Sequence, residues 1–323
     1  MILVTGGAGF IGSVLARELN KIGEQDLWIV DRLRCGNKWL NLRNSKFVEF
    51  THVDKIFDNL SLFRNVKAIF HIGACSTTTE KNADYFMDNN FEFSKKLFKV
   101  AAEQNIPFIY ASSAATYGDG KLGYVDDVDT IQKLLPLNPY GYSKQLFDEW
   151  VLRETNRPEL WFGLKFFNVY GPNEYHKGGQ ASVVYHAFNQ IKDSGKIKLF
   201  KSCRDGFAHG DQKRDFIYVV DVVKAMIKLY QESDKAKSSI LNLGTGKAAT
   251  FNDLAKAVFL ALNLKENIEY IDMPEGLDRQ YQYYTQADMS KFYKVVSGIN
   301  FSSIAEGTTD YIRNFLVNKN QYY

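Results

Sequence analysis

Short apolar runs alternate with longer amphipathic stretches through the first half of the chain. The runs at 2–5, 27–30, 46–50, 68–72, 108–111 and 162–167 are brief, often β-branched or aromatic, and read as strands. Between them, 11–21, 83–104 and 140–154 carry apolar residues at helical spacing. Strands alternating with helices predict successive βαβ units, hence an α/β fold with a doubly wound parallel sheet covered on both faces. After residue 167 the pattern loosens. Gly171-Pro172-Asn173 and Gly178-Gly179 punctuate one loop, and 203–213 reads as a second, polar loop. Apolar runs at 216–220 and 240–243 predict that the chain returns to the sheet before a final mixed segment.

Composition adds mainly exclusions. The 323 residues are ample for a large core with an elaborated extension. Forty Lys and Arg against 37 Asp and Glu leave a net charge of +3, too weak to argue for nucleic acid or an anionic membrane. No apolar run approaches the ~20 residues that a membrane helix needs. Met1-Ile2-Leu3-Val4 enters a strand with no basic leader, and Cys35, Cys75 and Cys203 are scattered, so a cytoplasmic protein without disulfides is expected. The five histidines show no ligand spacing with these cysteines, and no metal is expected.

Directly after the first predicted strand stands Thr5-Gly6-Gly7-Ala8-Gly9-Phe10-Ile11-Gly12. These letters satisfy both GxGxxG and GxxGxxG. A glycine-rich turn between strand and helix sets backbone N–H groups and the positive end of a helix against a pyrophosphate. Asp31 ends the second strand nineteen residues past Gly12, where an acid binds the adenosine ribose hydroxyls. Motif and context together predict dinucleotide binding. Asp31 alone favours a free 2′-hydroxyl, whereas Arg32 and Lys38 either neutralise a 2′-phosphate or are solvated loop charges. The reading leans to NADP and leaves NAD open. The expected organisation is a dinucleotide-binding Rossmann domain at 1–167, its sheet completed by about 214–248. A smaller mixed α/β substrate-binding lobe is expected from 168–213 and 249–323.

Two YxxxK patterns occur. Tyr117 and Lys121 flank Gly118-Asp119-Gly120, which will not hold a helix. Tyr140 and Lys144 open a helix behind Pro139, so they share one face. To act as a base at neutral pH, a tyrosine near pKa 10 must fall by roughly three units, about 4 kcal/mol. A lysine one turn away and an oxidised nicotinamide both favour the phenolate. Ser112 and Ser113 close the preceding strand, where open α/β sheets place their ligands, and a hydroxyl there holds the reacting oxygen.

Residues 6–12, Tyr110-Ala111-Ser112-Ser113-Ala114-Ala115-Thr116-Tyr117-Gly118 and 140–144 resemble the extended short-chain dehydrogenase/reductase superfamily. Arg214-Asp215-Phe216-Ile217-Tyr218-Val219-Val220-Asp221-Val222 and Asn242-Leu243-Gly244-Thr245-Gly246 do so too, and the resemblance spans nearly the whole chain. Ala115 stands where the 4,6-dehydratases carry an acid, which disfavours dehydration. More specific stretches are Gly73-Ala74-Cys75-Ser76-Thr77-Thr78-Thr79-Glu80, Phe167-Asn168-Val169-Tyr170-Gly171-Pro172, Glu174-Tyr175-His176-Lys177-Gly178 and Thr285-Gln286-Ala287-Asp288. They resemble the ADP-L-glycero-D-manno-heptose 6-epimerase family.

That resemblance implies epimerisation at C6 of an ADP-heptose, a step toward the lipopolysaccharide inner core, through transient oxidation and re-reduction by tightly bound NADP+. Inversion by this route favours acid/base groups on both sides of the carbon. Tyr140 is the implied group on one side and Lys177 on the other, assisted by Ser113 and Lys144. A cofactor set is implied at Gly6, Gly9, Phe10, Ile11, Gly12, Asp31, Arg32 and Lys38. It continues through Lys55, Ile72, Gly73, Ala74, Cys75, Ser76, Asn89, Lys144, Val169 and Lys177. Around the ADP-sugar the resemblance implies Ser113, Asn168, Gly179, His186, Phe200, Lys201, Ser202, Cys203, Arg214 and Tyr281. Arg214 suits a diphosphate, being permanently charged and bidentate, but also suits an ion pair with Asp211 or Asp215. Tyr281, in a tyrosine-rich run, equally suits core packing.

Three departures stand out. Ile72 follows His71 where the family carries an acid, Asn173 follows Gly-Pro where it carries arginine, and 203–213 is long. A UDP-hexose 4-epimerase, a net sugar-nucleotide oxidoreductase and a non-catalytic dinucleotide-binding regulator remain as alternatives at this point. A homo-oligomer is expected; the helices at 83–104 and 140–154 either pair between subunits or keep their apolar faces wholly internal.

Overall fold

The computed structural model describes residues 1–77, 80, 82–232, 237–276 and 281–323. Thr78 and Thr79 of the 73–80 stretch lie outside the described residues. The predicted alternation forms β1 (Ile2–Thr5), α1 (Phe10–Lys21), β2 (Leu27–Asp31), β3 (Glu49–His52) and β4 (Ala68–His71). Then come α2 (Ala83–Phe86), α3 (Phe93–Glu103), β5 (Phe108–Ser113), α4 (Val128–Ile131), α5 (Pro139–Arg153) and β6 (Trp161–Phe166). β1, β2, β4, β5 and β6 are buried along their whole lengths, as befits parallel strands with helices on both faces.

The second half supplies β7 (Asn168–Tyr170), α6 (Val183–Ser194), β8 (Ile197–Phe200), β9 (Lys213–Arg214), β10 (Phe216–Tyr218) and α7 (Val219–Gln231). It continues with β11 (Ser239–Leu243), β12 (Ala249–Thr250), α8 (Phe251–Ala261), β13 (Ile268–Ile271), α9 (Ser290–Val295) and α10 (Ile304–Tyr311). Seven parallel strands form the central sheet in the order β11-β6-β5-β4-β1-β2-β3. This is a Rossmann-type order, and its reversal between β1 and β4 opens a crevice at the carboxyl ends of the strands. β7 with β10, β8 with β13, and β9 with β12 make three small sheets beside it.

Three elements depart from the predicted pattern. The run at 46–50 is shifted: the strand is Glu49–His52, because β3 takes its register from β2, with Trp28 opposite Glu49 and Asp31 opposite His52. At this sheet edge Phe47 and Val48 stay exposed despite their hydrophobicity. The run at 216–220 does not enter the central sheet, since Phe216–Tyr218 pairs with β7 and Val219 already starts α7. The stretch 83–104 is not one regular helix. A π-helical turn, Met87–Glu92, separates α2 from α3. Such a turn carries an extra residue and recurs at functional sites. Here Asn89 and Asn90 both serve the crevice: Asn89 accepts from Arg32, and the Asn90 amide binds both the N–H and the carbonyl of Cys75.

Among the described residues no helix is long and apolar enough to cross a membrane.

Candidate active site

The crevice is one continuous cleft of about 1310 Å³ running from Gly9 to Tyr140 and on to Val183. At its floor the glycine loop needs its glycines for contact. A Cβ on Gly12 would lie 2.2 Å from the Gly6 carbonyl oxygen, and one on Gly6, at φ +66°, would lie 2.6 Å from Gly73 Cα. Gly9 caps α1 with no side-chain acceptor, and Gly9, Phe10, Ile11 and Gly12 all line the cleft. The N–H groups of the first helical turn therefore remain for a ligand's phosphates.

At the end of β2, one Asp31 oxygen accepts from the Ala8 N–H at 2.8 Å. The other accepts from the Arg32 N–H at 2.6 Å and pairs with Lys38 at 2.5 Å. Arg32 in turn bonds Asn89 at 2.7 Å and pairs with Asp54. Asp31 thus braces the glycine loop, and two cations stand beside it. Ile72, Gly73, Ala74, Cys75, Ser76, Val169 and Asn168 also line the cleft, whereas Lys55 lies exposed on a short turn outside it.

The rigid wall of the site is β5 and the first turns of α5. Asn138 caps α5 by accepting from the Gly141 N–H at 2.8 Å, with Pro139 in the first turn, which fixes Tyr140 and Lys144 on one face. Tyr117, of the rejected pair, is buried against Asn242 at 2.7 Å while Lys121 is exposed and pairs with Asp119. Lys144 Nζ donates to the Ala111 carbonyl at 2.7 Å. Burial lowers its pKa to about 8, against the opposing pull of Asp148 and Cys75.

Burial raises the Tyr140 pKa, while the Ser113 hydroxyl draws it down. Beneath them lies a network of polar groups that the sequence reading missed. Asp148 pairs with the fully buried Lys165 at 2.6 Å and accepts from Ser112 at 2.6 Å and Tyr110 at 3.0 Å. This fixes the strand end that carries Ser113.

The turn Tyr175–Gln180 carries Lys177, which also lines the cleft and whose Nζ lies 5.1 Å from the centre of the Phe10 ring. Desolvation lowers the Lys177 pKa, and Glu174 opposes this. The turn is moored to the glycine loop by Asn41, whose amide donates to the Ala8 carbonyl at 3.0 Å and the Asn173 carbonyl at 3.1 Å and meets His176 Nδ1 at 3.2 Å. Asn173, the departure after Gly-Pro, is buried at φ +73°, a left-handed conformation that asparagine tolerates. It donates to Ser13 at 2.9 Å and accepts from the Tyr323 N–H at 2.9 Å, so its work is structural. Gln321 and Tyr322 also line the cleft, held by Tyr175 and Arg43.

The remaining predicted sugar-side residues fall into two groups. Gly179 is exposed on the Lys177 turn, and His186 sits in the first turn of α6 beside Tyr185. Phe200 ends β8, and Lys201, Ser202 and Cys203 follow it; they gather with Arg214 and Tyr281 just beyond the cleft lining. The Cys203 N–H donates to Tyr283, Tyr283 packs on Tyr281, and Arg214 lies 5.0 Å from the Tyr281 ring centre. Arg214 also stacks on Phe251, which packs on Phe216 of the cleft wall. Asp215 does not neutralise it; that carboxylate accepts from Thr245, Gly246 and Ala287. Arg214 is therefore a buried cation in an aromatic frame, not half of a surface ion pair.

Residues 2–244 match the model of the NAD dependent epimerase/dehydratase family. An ADP-L-glycero-D-manno-heptose-6-epimerase of Fusobacterium nucleatum is 48% identical over 333 aligned positions covering 100% of both chains. One of Nitratidesulfovibrio vulgaris is also 48% identical, over 98% of each. The crystal structure of the Helicobacter pylori ADP-L-glycero-D-manno-heptose-6-epimerase superposes with a TM-score of 0.80 at 28% identity, covering 97% of this chain and 95% of that one.

Proposed function

The chain belongs to the NAD-dependent epimerase/dehydratase family and within it to the ADP-L-glycero-D-manno-heptose-6-epimerases, and from that premise we infer that it inverts C6 of ADP-D-glycero-D-manno-heptose. The observation that carries this reading is that Tyr140, in the first turn of α5, and Lys177, on the turn at Tyr175–Gln180, line one cleft. A 4-epimerase shares the first group and has no need of the second.

The cradle of 6–12, with its bare helix terminus, fits a dinucleotide pyrophosphate. Asp31, Arg32 and Lys38 fit the adenosine ribose, and the Lys38–Asp31 pair with Arg32 beside it favours NADP, the 2′-phosphate meeting two cations and a neutralised acid. A dinucleotide held there by residues 6–12, Asp31, Arg32 and Lys38 would supply the reversible hydride acceptance that oxidation and re-reduction at C6 require.

The chain's own residues handle protons and position. For one epimer, Tyr140 Oη takes the proton of the C6 hydroxyl while Ser113 Oγ holds that oxygen. For the other, Lys177 Nζ does so, and in each direction the opposite group protonates the re-formed alkoxide. Lys144 orients the site from the Ala111 carbonyl, and Arg214 clamps the diphosphate. This assignment belongs to a cytoplasmic step of lipopolysaccharide assembly.

The test is proton NMR of the purified protein with ADP-D-glycero-D-manno-heptose while absorbance at 340 nm is followed. The L-glycero epimer should appear with no net reduced cofactor. Turnover of a UDP-hexose instead would leave Tyr140 in place and remove the heptose assignment.

A further inference from the structure

Glu174 belongs to the Lys177 turn, is fully buried, and has no part in the chemistry above. Its carboxylate accepts from the Ser182 N–H at 2.5 Å, the Ser182 hydroxyl at 2.6 Å and the Gly171 N–H at 3.4 Å. All three partners are donors, so they suit the ionised form. The two ends of the loop, 171 and 182, are thereby tied through one side chain. A neutral amide would not serve: one carboxylate oxygen accepts from the Ser182 N–H and the other from the Ser182 hydroxyl and the Gly171 N–H, and an amide NH2 cannot accept. The Glu174 carbonyl also accepts from the Lys177 N–H at 2.9 Å, which ties the clasp to the residue it carries.

We propose that Glu174 is a positioning residue for Lys177, clasping the loop that carries it and placing a negative charge three positions before it in the same turn. The proposal rests on the assignment of Lys177 as the second acid/base group. Other groups facing the pair are His176 and Tyr175 on the same turn, Lys38 and Asp31 behind His176, Tyr185 on α6 and Tyr311 on α10. The Phe10 ring covers Lys177 from α1. Burial raises the Glu174 pKa, and Lys177 and the Ser182 bonds oppose this. Ionised Glu174 in turn raises the proton affinity of Lys177, which desolvation lowers.

The experiment is the pH profile of kcat/KM in both directions, using holoenzyme and its Glu174→Gln, Glu174→Asp and Ser182→Ala variants. Removing the charge lowers the pKa of Lys177, so Glu174→Gln should move the limb owned by Lys177 down by about one pH unit. Where Lys177 donates, the alkaline limb falls earlier. Where Lys177 accepts, the acid limb extends to lower pH. Glu174→Asp and Ser182→Ala keep the charge and loosen the clasp, so they should lower kcat several-fold with both limbs in place.

A Glu174→Gln enzyme with unmoved limbs, or with equal loss at every pH, would reduce Glu174 to a structural tie and overturn the proposal. Competitive acetylation of Lys177 across pH, read by mass spectrometry, gives the same titration without substrate. It keeps the test valid if the heptose assignment fails. Should Glu174→Gln not fold, the acetylation midpoint in Glu174→Asp decides: a midpoint within a few tenths of wild type supports the proposal, and one a full unit lower contradicts it.

Discussion

The two ends of the cleft are built by different means. The dinucleotide end is backbone: a glycine turn, a bare helix terminus and the ends of β1, β2 and β4, nearly all within the first 76 residues. The sugar end is side chains brought from β5, α5, the 174–182 loop, β8, β9 and the 281–284 run. The first kind of construction fixes where a cofactor lies by steric necessity. On the assignment proposed above, the second decides which sugar is turned over. Substitutions should therefore fail differently at the two ends.

The largest effect is expected at the junction. Tyr140→Phe removes the proton-transferring atom and leaves the ring in its packing against Phe86. It should lower kcat by ~10³–10⁴-fold in both directions with the cofactor still bound, checked by NMR turnover and by absorbance of the retained dinucleotide. Lys177→Met should follow, with a loss of ~10²–10³-fold in kcat and the same retained cofactor. Loss of cofactor instead would move Lys177 from the chemistry to the dinucleotide end.

A pure sugar-end change comes next. Arg214→Lys keeps the charge and loses the planar stack on Tyr281 and Phe251. KM for the ADP-sugar should rise by ~10–100-fold, with kcat within a few-fold. A matching fall in kcat would mean that Arg214 acts on the transition state. The smallest effect belongs to the other end: Arg32→Ala should shift the NADP+ to NAD+ affinity ratio by ~10-fold toward NAD+, measured by titration of the stripped protein. An unchanged ratio would leave both cations as partners of Asp54 and Asp31 alone.

The same division explains what the sequence disclosed. The glycine turn, Asp31 and the Tyr140–Lys144 pair are short-range patterns with a local steric or helical cause, and the strands of the core are apolar because both faces are covered. Asn41, Glu174 and the Asp148–Lys165 pair have no such signature. Asn41 reaches Asn173 across 132 positions, Asp148 meets Lys165 17 positions on, and Glu174 works through loop residues that no periodicity marks, so nothing in the local pattern of an asparagine or a glutamate announces a buried hub. The π-helical turn at Met87–Glu92 escaped for a related reason, since helical periodicity does not show where one extra residue is inserted.

The central claim is that one retained cofactor removes and returns the same hydride at C6 while Tyr140 and Lys177 exchange roles. ADP-D-glycero-D-manno-heptose carrying deuterium at C6, converted in ordinary water and examined by mass spectrometry and NMR, tests it most directly. The account predicts L-glycero product with deuterium fully retained at C6. Deuterium lost to solvent in proportion to turnover would mean inversion by proton abstraction at carbon, and would contradict it.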